Sequence, residues 1–98
     1  MPFVIWMSPF PCADWVVCKY RKEISSKLAV EVFAANERYF NVFELADRLG
    51  WRQRKPYVDS IHIDESAHWD IGYELAGTCV RMLAMDTVSF GKNMGGGE

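Results

Sequence analysis

Five side chains here belong to the types that bind metals or act as nucleophile and base: Cys12, Cys18, Cys79, His62 and His68. Structural zinc is usually gripped by ligand pairs about two to four residues apart, so that one turn offers both. Cys12 and Cys18 are six positions apart, as are His62 and His68, and Cys79 stands alone. No metal is expected from that spacing. A thiol–imidazole pair could be drawn between Cys12 and either histidine, but no nucleophile turn and no glycine-rich phosphate loop frames one. The chain is therefore read as non-enzymatic and without cofactor. Cys79 lies in an apolar row, where a free cysteine packs as a small hydrophobe.

The carboxylates are more suggestive. Asp59, Asp64, Glu65, Asp70 and Glu74 fall in sixteen residues that contain no Lys or Arg. Asp70 and Glu74 are four apart and so neighbours on a helix, with Trp69 and Tyr73 beside them. Charge steers encounter, and large aromatics anchor the complex once formed. The expected contact face is thus Asp59, Asp64, Glu65, Trp69, Asp70, Tyr73 and Glu74. Its partner would be a protein with a basic surface, including one that normally holds nucleic acid. The plainer reading of the same residues is a solubilising helix face.

Net charge is −2, but it is unevenly spread. Residues 1–55 carry nine Lys/Arg against six acids, and residues 56–98 carry two against seven. Such asymmetry favours an oppositely charged partner, unless folding interleaves the two runs into a mixed surface.

The basic half contains Glu44-Leu45-Ala46-Asp47-Arg48-Leu49-Gly50, followed by Arg52, Arg54 and Lys55. The segment resembles the first helix and turn of helix-turn-helix DNA-binding domains. The resemblance implies a DNA-binding regulator using residues 41–58, with Arg48, Arg52, Arg54 and Lys55 near phosphates and base edges. The other reading is a capped core helix followed by a basic solvated loop. The expectation carried forward is a small protein-binding accessory or inhibitor, of the type phages and mobile elements carry, with the DNA-binding regulator as alternative.

Elements must position these residues. Phe3–Met7 has strand composition and ends at Pro9 and Pro11; Trp15–Tyr20 reads as a second strand, pairing with it as a hairpin. From Ile24 the stripe Ile24, Leu28, Val32, Ala35 and Tyr39 predicts a helix capped by Ser25 or Ser26, although 28–34 also alternates like a strand. Asn41 followed by Glu44, with Gly50 at the end, predicts a capped helix over 42–49. Trp51–Pro56 reads as a basic connection and Tyr57–Asp64 as a strand. A long helix is expected over 67–85, with Ile71, Leu75, Cys79 and Met82 in one apolar row and Trp69, Tyr73, Ala76, Val80 and Leu83 in a second, both buried. A short strand at 87–90 and a loose glycine-rich tail over 91–98 would follow.

Ninety-eight residues suit one domain, placed here at 1–90. The fold class is α+β: a small sheet, made of the N-terminal hairpin and one later strand, packed by two or three helices. Half of the residues are apolar, enough for one modest core. The odd count of three cysteines points to reduced thiols in a cytoplasm. Pro9, Pro11 and Asp14 interrupt the N-terminal apolar stretch, so neither a signal peptide nor a membrane span is expected.

Overall fold

Asp14 decides the first half of the fold. Its carboxylate accepts the backbone N–H groups of Val16 and Val17 at 3.0 and 3.1 Å, capping the start of a helix. From that cap twenty residues run unbroken as α1 (Trp15–Ala34). The computed structural model describes residues 4–95, with side chains through Met85. A short apolar run cannot by itself distinguish strand from helix, and here the cap tips residues 15–20 into α1. The expected strand at 15–20, and with it the N-terminal hairpin, is corrected.

What replaces the hairpin is a crossover. β1 (Ile5–Met7) pairs in parallel with β2 (Arg38–Phe40), in the register Ile5 to Arg38, Trp6 to Tyr39 and Met7 to Phe40. Parallel neighbours need a long connection, usually a helix, and α1 supplies it. α1 stops at Ala35, and Asn36 turns the chain with a left-handed φ of 59°, a conformation asparagine tolerates better than most residues. Tyr39 is therefore a strand residue and not part of a helical stripe. Its hydroxyl meets the Ser25 hydroxyl at 2.8 Å, and Ser25 lies buried in mid-helix, not at a cap.

α2 (Val42–Arg48) follows its sequence signals. The Asn41 side chain accepts the Phe43 N–H at 3.0 Å, and Gly50 takes φ 69° beyond the last turn. The buried Ser8 hydroxyl accepts the Val42 N–H at 2.8 Å, tying the chain after β1 to the start of α2. The basic connection forms a single turn, α3 (Trp51–Arg54), ended by left-handed Lys55 and by Pro56.

Residues 57–64 are a closed loop and not the expected strand, with one antiparallel bridge between Tyr57 and Ile63. Asp59 causes this: its Oδ1 accepts the N–H groups of Ile61 and His62 at 2.9 and 2.8 Å. Such side-chain turns divert backbone groups from a ladder. Asp64 then accepts the Ala67 N–H at 3.0 Å and opens α4 (Glu65–Gly95). The expected strand at 87–90 is helical; its side chains lie outside those described, and the proposed tail reaches past the described residues.

Among the described residues the architecture is α+β, a two-stranded sheet with four helices. The core gathers Phe40, Val42, Leu45, Ala46, Trp51, Ile63, Ala67 and Ile71, with Ile5, Phe10, Tyr57 and Leu75 against it. It joins the sheet, α2, α3 and the first half of α4. The second half of α4 runs on past this body, so the radius of gyration is 16.7 Å where a packed chain of this length has about 13 Å. No helix among the described residues is long and apolar enough to cross a membrane.

Candidate functional site

α4 carries two apolar rows, and only one is buried. Ile71 and Met82 are buried and Leu75 packs on the core. The second row is exposed: Trp69 by 72%, Tyr73 by 83%, Val80 by 65% and Leu83 by 52%. The expectation that both rows pack inward is corrected by helix geometry. At about 3.6 residues per turn the two rows are centred roughly 120° apart around α4, so a core that takes one leaves the other in solvent. A shallow groove of about 640 Å³ runs along the outer side, lined by Glu65, His68, Trp69, Gly72, Tyr73 and Ala76. The His68 ring meets Phe10 edge-on, with centroids 6.3 Å apart.

The expected acidic face does not form as a unit. The structure keeps Glu65 beside Trp69 and Tyr73 on the outer groove, but turns Asp70 and Glu74 toward α2 and α3. Asp70 Oδ2 accepts both the Trp51 indole N–H at 3.0 Å and an Arg54 guanidinium N–H at 2.6 Å. Glu74 pairs with Arg48 at 2.9 Å. Asp59 is engaged in its own loop, where the N–H of Ile61 and then the His62 ring, 2.8 Å from Oδ2, hold its pKa below the usual value. Asp64 is the cap of α4; the Ser66 hydroxyl at 2.6 Å and the Ala67 N–H lower its pKa likewise. The two charge runs interleave, with Arg48 and Arg54 of the basic run holding Glu74 and Asp70 of the acidic one.

For the DNA-reading alternative, the segment after Gly50 is one turn of helix, too short to lie along a major groove as a recognition helix does. Arg48 and Arg54 are committed to carboxylates. Arg52 and Lys55 instead share a cleft of about 760 Å³ with Lys19 and Lys22 of α1, walled by Trp15 and Tyr57, where the four cations outnumber the two acids Asp47 and Asp59. None of these four cations has an ion-pair partner among the described residues.

Cys12 is buried, and its thiol donates to the Asp14 carbonyl at 3.5 Å. Burial pushes its pKa up, which weakens it as a nucleophile at neutral pH. Cys18 and Cys79 are half-buried free thiols. Among the described residues no three His, Cys, Asp or Glu side chains are grouped to hold a metal ion. No family model, curated protein or solved structure matches the chain.

In the sequence Val80 and Leu83 fall in the row of Trp69 and Tyr73, but that row reads as buried, and Gly72 does not stand out beside it. The signal that finds them is angular: at about 100° per residue the two rows of α4 are centred roughly 120° apart, too wide for one core face to cover both. Lys19 and Lys22 escape notice because residues 15–20 read as a strand, and a strand ending at Tyr20 gives no reason to bring the two lysines together. On α1, three apart, they are neighbours and line one cleft.

Proposed function

We propose that the chain is a non-enzymatic protein-binding module whose contact surface is the outer side of α4. The observation that carries this reading is the exposure of Trp69 and Tyr73, in line with Val80 and Leu83, away from the core. Contiguous exposed apolar surface is characteristic of interaction sites, and buried aromatics dominate the energetics of interfaces. Attraction over distance falls to Asp59, Asp64 and Glu65, because Asp70 and Glu74 are already neutralised by Arg54 and Arg48. An accessory or inhibitory protein of the phage type works through such a surface alone. Three free thiols support a reducing cytoplasm as its setting. The test compares immobilised wild type with Tyr73→Glu, whose side chain projects into solvent. A protein captured by wild type and lost from a Tyr73→Glu variant of unchanged melting temperature supports the reading. Equal capture by both overturns it.

The basic cleft favours a second reading, in which Lys19, Lys22, Arg52 and Lys55 bind nucleic-acid phosphates. Duplex binding at low salt, fading steeply as salt rises and weakened by Lys22→Glu, would support it. No binding at low salt would dismiss it.

A further inference from the structure

We infer that the outer side of α4 binds a second copy of this chain, two α4 helices packing along it in a two-fold dimer. This rests on that side being a protein contact surface, and it names the occupant.

Trp69, Tyr73, Ala76, Val80 and Leu83 follow one another by four, three, four and three residues, and in sequence the spacing continues to Thr87 and Phe90. Alternation of four and three is the mark of a seam between two helices, where each side chain inserts among four of the partner's. The row that packs on the core is less regular: Ile71, Leu75, Cys79 and Met82 follow by four, four and three. The exposed apolar residues of α1 show the difference: the row through Val16 and Tyr20 meets Glu23 and Lys27 before it reaches Val30.

In a pair of identical helices the positions flanking the seam face the flanking positions of the copy, so unpaired charges of one sign there repel. Between Trp69 and Leu83 the flanking positions are Asp70, Gly72, Gly77, Cys79 and Ala84, with Glu65 and Asp86 flanking the two ends. The single charge between those ends, Asp70, is held by Arg54 at 2.6 Å on the side toward α3. Across these two heptads a second copy therefore meets no unpaired charge, the acids Glu65 and Asp86 falling at the two ends.

A Cβ built on Gly72 meets nothing within 4 Å, and one on Gly77 meets only the end of the Arg81 side chain at 3.3 Å. Neither glycine serves the packing of the single chain, and glycine inside a helix is unfavourable. Both flank the seam, where absence of a side chain lets two backbones approach. The area is also sufficient. Each large aromatic buries about 150–250 Å², so Trp69 and Tyr73 with Val80 and Leu83 remove on the order of 1,000 Å² across two copies, the lower bound for a specific interface.

Sedimentation equilibrium of the full chain from about 1 to 100 μM tests the inference. Wild type should be a dimer over the upper part of that range. Gly72→Leu, which has open space in the single chain, should raise the dimer Kd at least 100-fold, as should Val80→Glu. Phe33→Glu, at an exposed position on α1, should leave it unchanged. Circular dichroism of each variant establishes that it is folded. A wild type that stays monomeric to 100 μM overturns the dimer, as do folded Gly72→Leu and Val80→Glu variants that dimerise like wild type. If the monomeric wild type still captures a partner that Tyr73→Glu loses, the dimer fails while the contact surface stands; if neither occurs, both fail.

Discussion

The indole N–H of Trp51 donates to Oδ2 of Asp70 at 3.0 Å, and Trp51 is 1% exposed. Asp70 therefore joins α3 to α4 and is not free to attract a partner. Asp70→Ala leaves a buried donor without an acceptor, which costs about 1–3 kcal/mol. Asp70→Asn keeps an acceptor for the indole and loses only a half-exposed ion pair with Arg54, worth about 1 kcal/mol or less. Urea denaturation of the two variants should separate them in that order. Equal losses would mean that charge, and not the indole bond, is what Asp70 contributes.

The two rows of α4 should respond oppositely to truncation. Ile71→Ala removes buried surface and should cost about 2–5 kcal/mol. Val80→Ala, made at a concentration too low for self-association, should change stability by no more than about 0.5 kcal/mol. Thermal melts of both variants check this, and a large loss for Val80→Ala would place that row inside.

Acid should loosen the 59–67 loop first. Asp59 and Asp64 have pKa values below the ordinary 3.8 in the folded chain. The unfolded chain then takes up protons before the folded one, and stability falls as pH drops. Their contribution is complete above the unfolded value of 3.8 and is lost as pH falls through the lower folded values. Asp64→Asn, which still caps α4 but carries no charge, should melt somewhat below wild type at pH 7 and lose less stability below pH 4. Melting temperature followed from pH 7 to 2 reads both arms.

The three thiols should differ in reactivity. In the folded chain Cys12, buried and with a raised pKa, should react with a disulfide reagent much more slowly than Cys18 and Cys79. Denatured without reductant, the chain should yield all three. Cys12 reacting as fast as the other two would place it at the surface.

Sequence made α2 legible because its signals are local: Asn41 accepts an N–H at one end and Gly50 supplies the left-handed turn at the other. The same holds for the start of α4 and for its inner row. Residues 15–20 were not legible, since their composition suits strand and helix alike and only the Asp14 cap separates the two. The pairing of β1 with β2 was beyond local pattern altogether, as three-residue strands joined across a helix leave no hairpin turn to read. The acidic run was visible, but not its neutralisation by Arg48 and Arg54, which lie sixteen or more residues away along the chain.

The crossover also sets an order of events during synthesis. Ile5 emerges from the ribosome thirty-three residues before Arg38, with which it is in register. At about 5–20 residues per second, β1 waits roughly 2–7 s for β2. Helices form in about a microsecond or less, so α1 has ample time to assemble while the strand on its N-terminal side is still unpaired. The sheet then closes on a bridge that is already built, and its closure dates from the arrival of Phe40.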